Sequence, residues 1–272
     1  MTASIPENKV EQIFEEASKF ENREKATVRE IQSLVGRLNF AAKIVRGGRT
    51  FLRRMIKCMG SRPGHHHVKL DKGFHMDLRW WLKFLKKWNR VEVVYEGKPI
   101  SLCSFQADAS TSYGAGAFFE GEELSVEWDG TIKGDINVLE VFAILLAARK
   151  WGHAWRGKVI LVQSDNSAAV WAINKGSSDS ELVMVWLREL LMISARKGFE
   201  ITAIHIPGVL NALADPLSRG MWGEYEVRKA LWTRAKEGER GLLWEENQWL
   251  RVMWENEERG LEAFLKKWGL RY

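Results

Sequence analysis

The sequence predicts an α/β chain built on a mixed five-stranded sheet with helices on its faces, preceded by a small helical domain and followed by a helical tail. Three observations carry this. Between residues 101 and 128, three runs rich in β-formers follow one another at short spacing. From 137 to 218, helical and extended patterns alternate, which specifies a mixed sheet covered by helices. On either side, residues 7–88 and 221–272 read as helices.

The N-terminal helices follow from spacing. Val10, Ile13, Phe14 and Ala17 lie on one helical stripe within residues 7–21, and Thr27 with Glu30 forms a capping-box pattern that opens a second helix carrying Ile31, Leu34, Val35 and Leu38. Gly47 and Gly48 end it. A short helix from Thr50 to Met59 places Arg53, Arg54 and Lys57 beside Phe51, Leu52, Met55 and Ile56, and Ser61 to His67 reads as a loop around Pro63 and Gly64. The helix from Asp71 to Trp88 buries Leu78, Trp81, Leu82 and Leu85 and turns Lys83, Lys86 and Lys87 outward. Extended segments begin at Val91, separated by the turn signal Glu96-Gly97-Lys98-Pro99, which sets the domain boundaries at 1–92, 98–220 and 221–272. The second domain is predicted as strands 101–108, 114–120 and 123–128, helix 137–151, strand 158–164, helices 166–174 and 181–197, strand 199–206 and helix 209–218.

Composition narrows the function classes. With 272 residues, 46% hydrophobic, and 14 Trp, core material is ample. The opening MTASIPENKV has no apolar signal core, and the longest apolar run, Val141 to Ala148, is too short for a membrane span, so a soluble intracellular protein, cytoplasmic or nuclear, is expected. Cys58 and Cys103 form neither a disulfide framework nor a zinc pattern, and the contiguous His65, His66 and His67 cannot all face one ion. Charge is asymmetric: residues 1–100 carry 21 Lys+Arg against 11 Asp+Glu, and the remainder carries 20 against 24. Within 25–90 the balance is 17 basic to 3 acidic, the footprint of a surface that tracks phosphates or simply of a solvated basic face. The backbone-contact candidates are Arg53, Arg54, Lys57, Lys83, Lys86 and Lys87. Paired Trp80 and Trp81 read as core on one side and interface on the other.

Four acidic residues fall where this architecture exposes them at one sheet edge. Asp108 ends the first strand, Glu140 lies in the first turn of the first helix, Asp165 ends the fourth strand, and Asp215 sits on the last helix. If the first and fourth strands are parallel neighbours their ends meet, and a helix across that edge drops Glu140 beside them. Four carboxylates in one cleft repel unless cations neutralise them, and hard divalent ions that prefer oxygen ligands are the natural partner. Two such ions, about 4 Å apart, can activate a water and stabilise the leaving oxygen of a phosphodiester. Each residue also has a structural alternative, the commoner one when taken singly. Glu140 could complete a capping box with Asn137, Asp165 could cap the following helix, Asp108 could be a turn residue and Asp215 a solvated helix residue.

The words around the carboxylates settle the joint reading. ADASTSYGAGAFF, NVLEVFAILLAARKWG, VQSDNSAAVWAINKGSS and HIPGVLNALADPLSRG resemble the ribonuclease H domain of retroelement polyproteins, specifically DIRS and gypsy-like reverse transcriptases. Upstream, TVREIQSLVGRLNFAAKIVRGGRTFLRRM and HHHVKLDKGFHMDLRWWLKFLKKWN resemble the thumb and connection of the same elements, so the likeness covers about residues 5–220. It implies a ribonuclease H-like fold and a metal-dependent endonuclease acting on the RNA strand of RNA–DNA hybrids. It further implies metal ligation by Asp108, Glu140, Asp165 and Asp215, with two Mg²⁺ ions, Mn²⁺ being a substitute. A separate polymerase domain or subunit is an implied partner. His205 and Asn211 are auxiliary candidates.

The chain departs from the family in three ways. It has no Asp-Asp dipeptide, so it is not a complete reverse transcriptase and reads as a thumb-to-nuclease fragment or a separately expressed derivative. The loop Pro207-Gly208-Val209-Leu210 lacks the mobile histidine of cellular ribonucleases H, and no long basic insertion lies between 175 and 198. Two rivals stand beside the nuclease: a non-catalytic nucleic-acid-binding or assembly module of retroelement origin, and an integrase-like relative with three acidic residues. The spacing Asn211-x-x-x-Asp215 favours ribonuclease H over the latter.

Overall fold

The computed structural model describes residues 2–45, 47–87, 91–93 and 102–238, together with 243, 247, 249–252 and 255. The chain divides into two compact units, residues 1–96 and 97–272.

In the first unit, β1 (Thr2–Ser4) is followed by α1 (Glu7–Ser18), β2 (Lys25–Thr27) and α2 (Val28–Ala41). A 3₁₀ turn (Gly48–Leu52) then leads into α3 (Arg53–Met59), β3 (His67–Lys69), α4 (Lys72–Lys87) and β4 (Val91–Val93). The capping box opens α2 as expected: Thr27 Oγ1 accepts from the Glu30 N–H at 3.2 Å, and Glu30 Oε2 accepts from the Thr27 N–H at 2.7 Å. That bond to the Thr27 backbone holds the Glu30 carboxyl below its usual range. The apolar stripes meet in one core, with Ile13, Ala17, Ile31, Leu34, Leu38, Phe74, Leu78 and Trp81 buried.

Two local expectations change. The helix read from Thr50 starts as a 3₁₀ turn, because Phe51 breaks the helical dihedrals before α3 begins. His67 belongs to a strand, since β2 and β3 pair antiparallel, as do β1 and β4. These three-residue strands are too short for periodicity to reveal. Trp88, the turn signal at 96–99 and the rest of the extended segment after Val93 lie outside the described residues.

The second unit opens with β5 (Leu102–Ala109), β6 (Gly114–Phe119), β7 (Glu122–Glu127), α5 (Ile136–Trp151) and β8 (Val159–Ser164). It continues with α6 (Ser167–Lys175), α7 (Glu181–Lys197), β9 (Glu200–His205), a 3₁₀ turn (Gly208–Leu210), α8 (Ala214–Ser218) and α9 (Trp222–Lys236). The sheet order is β7-β6-β5-β8-β9, antiparallel across β7, β6 and β5 and parallel across β5, β8 and β9. This is the ribonuclease H-like arrangement that the resemblance implies. Glu120 and Gly121, with φ of 49° and 94°, close the β6–β7 hairpin as a two-residue turn whose left-handed backbone matches the strand twist.

Strand alternation divides β5 between two environments. Phe105 and Ala107 join the core formed with Val141, Ile144 and Leu145 of α5 and Leu187 of α7. Gln106 and Asp108 face the other way, toward the chain that follows β9. There, Gln106 Nε2 donates to the Leu210 carbonyl at 2.9 Å and its Oε1 accepts from the Leu213 N–H at 3.0 Å.

The predicted helix 209–218 is two pieces, a 3₁₀ turn and α8, joined through Asn211, Ala212 and Leu213. Proline explains the break. Pro216 lacks the N–H that a helix interior requires, so the helix starts at Ala214 and places it in the first turn, where that N–H has no intrahelical partner in any case.

Candidate active site

Register places the carboxylates. The parallel pairing of β5 with β8 brings their C-terminal ends side by side, with Gln106 opposite Gln163. Asp108 lies two residues further along β5 and Asp165 directly follows β8. Glu140 reaches the same edge from the second turn of α5. One oxygen each of Asp108, Glu140 and Asp165 lies within 4.8 Å of the others. Asp108 and Glu140 are buried and Asp165 is half-buried.

The local alternatives for these residues are taken by their neighbours. Asp135 caps α5, accepting from the Val138 N–H at 3.1 Å, so no capping box between Asn137 and Glu140 forms. Asn137 Oδ1 instead accepts from Asn166 Nδ2 at 3.0 Å. Asn166 caps α6, accepting from the Ala169 N–H at 2.9 Å, which leaves the Asp165 carboxylate free of that task. Asp108 is a strand residue opposite Gly116 rather than a turn residue.

Asp215 stands differently. It lies in the first turn of α8 and is ion-paired with Arg219, Nε to Oδ1 at 2.6 Å, outside the tight group of three. Gly116 permits α8 to come this close. A Cβ there would sit 2.3 Å from the Ala214 carbonyl oxygen and 2.5 Å from the Ser218 nitrogen, so any side chain would push α8, and Asp215 with it, off the sheet.

Two further side chains tie the carboxylates together. Asn211, fully buried, donates from Nδ2 to the Ala107 carbonyl at 3.1 Å, to Asp108 Oδ1 at 3.2 Å and to Asp165 Oδ1 at 3.5 Å. Ser218, also fully buried, donates through Oγ to Asp108 Oδ2, and the Asp215 carbonyl lies 2.9 Å from the same hydroxyl. Ser218 was not singled out from sequence. Its signal was its position three residues after Asp215, one helical turn along, but this required knowing that α8 rests on β5.

Burial dominates the electrostatics of these carboxylates. Burial pushes the Asp108 carboxyl up to about 7, against the lowering effect of the Ser218 hydroxyl, with the Asp165 and Asp215 charges adding to the rise. Burial pushes Glu140 higher, to about 9, with the Asp108 and Asp165 charges next in weight. Glu140 Oε2 and Asn211 Oδ1 are buried with no hydrogen-bond partner among the described residues. A buried oxygen without a donor is costly, and an oxygen-preferring cation removes both the orphaned acceptor and the repulsion. The donor set of three carboxylates fits such an ion.

Of the remaining candidates, His205 is exposed at the end of β9, its Nε2 3.0 Å from the Asp165 main-chain oxygen. Arg54 is turned to Asp77: its guanidinium lies 3.4 Å from Asp77 Oδ1, and its N–H donates to Asp77 Oδ2 at 3.3 Å. Lys57, Lys83 and Lys86 are exposed and Arg53 is half-buried. The Lys87 side chain lies outside the described residues. Trp81 is buried with its Nε1 donating to the Phe51 carbonyl at 3.2 Å, and Trp80 stacks on Phe51 at 3.8 Å between ring centroids.

No protein-family model matches the chain, and no curated protein matches it. Among solved structures, a ribonuclease H1 isolated from compost by a metagenomic approach is 18% identical over 43% of this chain and 90% of its own length, with a TM-score of 0.32. The foamy viral protease-reverse transcriptase dRH in complex with double-stranded DNA is 15% identical over 71% of this chain, with a TM-score of 0.28. The chain spans 35% of that viral protein. The ribonuclease H-like fold of the second unit rests on its own strand order and helix placement. No described helix is long and apolar enough to cross a membrane.

Proposed function

We propose that this chain is a metal-dependent endonuclease that hydrolyses the RNA strand of RNA–DNA hybrids, derived from a retroelement reverse transcriptase of the DIRS or gypsy-like kind. The observation that carries the reading is the close group Asp108, Glu140 and Asp165, the first two buried, in which Glu140 Oε2 has no donor among the described residues. The motif words that surround these residues supply the substrate class.

Asp108, Glu140 and Asp165 would hold one Mg²⁺, and Asp108 with Asp215 would hold a second, with Mn²⁺ as a substitute. When bound, the ions supply a lowered water pKa and Lewis-acid stabilisation of the phosphodiester. The protein's own part is geometric. Asn211 bridges Asp108 and Asp165, fixing the spacing of two ligands with one amide group. Ser218 fixes the other Asp108 oxygen. Glu140 orients the attacking water beside the ribose 2′-hydroxyl, which is the group that distinguishes RNA from DNA at a cut site. Exposed lysines of the first unit, Lys57, Lys83 and Lys86, with Arg53 and Lys87, are proposed as backbone contacts, while Arg54 is held against Asp77. A polymerase domain or subunit is the proposed partner in the cell.

The test is to incubate the purified chain with labelled RNA–DNA hybrid, double-stranded DNA and single-stranded RNA, in Mg²⁺ or EDTA, beside Asp108→Asn. Mg²⁺-dependent cleavage of RNA in the hybrid alone, lost in the variant, is expected. No cleavage of any substrate, with tight salt-sensitive hybrid binding retained, would replace the nuclease by a binding module.

A further inference from the structure

Arg219 follows the last residue of α8, and its Nε lies 2.6 Å from Asp215 Oδ1, with the two side chains 53% and 32% exposed. An exposed pair at this i,i+4 spacing ordinarily contributes little to stability, a few tenths of a kcal/mol. Its position gives it more to do. The preceding residue, Ser218, is bonded to Asp108, so the turn bearing the guanidinium is anchored at the carboxylate group. Asp108 and Asp165 also act on the guanidinium charge, after the dominant hydrogen bond and charge of Asp215. Asp215 is the fourth carboxylate of the predicted set and the one missing from the tight group.

The chain therefore answers its acidic residues in two ways. Glu140 keeps a buried oxygen with no donor among the described residues, open to a cation from solution, whereas Asp215 carries a cation supplied by the chain. We propose that Arg219 is a built-in counter-cation that occupies Asp215 in the metal-free protein and competes with a second divalent ion for it. Loading is then ordered. The first ion enters at Asp108, Glu140 and Asp165 without displacing a protein charge. The second enters at Asp215 when Arg219 is released to another anion, and the phosphodiester of a bound nucleic acid is the anion this site meets. The inference rests on the metal-dependent reading above.

The experiment is calorimetric titration of the full chain with Mn²⁺, comparing the unsubstituted protein with Arg219→Gln, Arg219→Lys and Asp215→Asn, with circular dichroism to confirm the fold. The unsubstituted protein is expected to bind one ion more tightly than the second. Arg219→Gln, which removes the charge and keeps a polar side chain, should tighten the second step about tenfold, equivalent to about 1.4 kcal/mol, and leave the first unchanged. Arg219→Lys should stay close to the unsubstituted protein, and Asp215→Asn should lose the second step. Equal second-site affinities in Arg219→Gln and the unsubstituted protein would overturn the role of Arg219 while leaving metal binding intact. Absence of Mn²⁺ binding in a folded, unsubstituted protein would instead overturn the metal-dependent reading and this inference with it.

Discussion

Asp77 in the first unit and Glu140 in the second are almost equally buried, at 1% and 3% exposure, and they are surrounded in opposite ways. Asp77 accepts from the Arg54 main-chain N–H and faces the Arg54 guanidinium, so its charge is answered within its own unit. Glu140 has Asp108 and Asp165 for neighbours, and although the Ala109 N–H and the Ser164 hydroxyl bond toward it, its Oε2 has no donor among the described residues. Burying a charge is expensive unless it is paired, and otherwise the group takes up a proton or a cation. The first carboxylate is therefore complete as folded, and the second is complete only with something from solution.

The largest expected effect separates the two. Glu140→Gln and Asp108→Asn should each lower hybrid cleavage about a thousandfold, as the loss of several kcal/mol of metal-borne stabilisation implies, when rates are measured on labelled hybrid in Mg²⁺. In EDTA at pH 8 the same variants should be at least as resistant to urea as the unsubstituted protein, because a neutral isostere removes repulsion from the group. Asp77→Ala should behave in reverse, lowering stability by about 3 kcal/mol through the buried partner groups it strands. A Glu140→Gln protein that loses as much stability as Asp77→Ala would make Glu140 a structural residue and erase the contrast.

The contrast was only half visible in the sequence. The strand and helix order of the second unit was legible because its elements are long and strongly patterned, and the four carboxylates because each lies in a distinctive word. Which carboxylates converge was not legible, since that depends on neighbours distant in sequence. The caps show this. Both Asp135 and Asn137 are good N-cap residues in front of Val138 and Glu140, and only the tertiary bond between Asn137 and Asn166 shows that Asp135 caps the helix and Glu140 turns inward. The last helix shows the reverse case, a signal present but passed over, because Pro216 rules out an uninterrupted helix from 209. From sequence, Arg54 reads as a phosphate contact because a basic residue on a short helix looks solvated. Its partner, Asp77, is 23 positions away and reaches it only through packing.

The next effect is on pH dependence. The folded-state pKa values of Glu140 and Asp108, about 9 and about 7, lie above the ordinary carboxyl values of 4.5 and 3.8 expected when unfolded. Across that window the folded state holds more protons than the unfolded state, so stability falls as pH rises. In EDTA the melting temperature should therefore drop steadily between about pH 4 and pH 9. Mg²⁺ should restore more of it at pH 9 than at pH 6, because cation and proton compete for the same oxygens. Glu140→Gln should flatten this slope. A metal-free melting temperature that climbs from pH 5 to pH 9 would show that the buried group is compensated by the protein after all.

The smallest effects test the basic side of the comparison. Lys83 and Lys86 are exposed on α4, and Arg54 is held against Asp77. If the lysines meet the phosphate backbone, Lys83→Gln combined with Lys86→Gln should lower the slope of log affinity against log salt for hybrid binding by about 2, roughly 0.9 per contact. Stability should stay within about 0.5 kcal/mol, as expected for exposed side chains. Arg54→Gln should do the opposite, costing about 2 kcal/mol because it removes a cation that faces the buried Asp77, while changing the salt slope little. A full unit of slope lost on Arg54→Gln, with stability intact, would move Arg54 from the partner of a buried carboxylate to the partner of a phosphate. Asp77 would then have to be satisfied by its remaining neighbours.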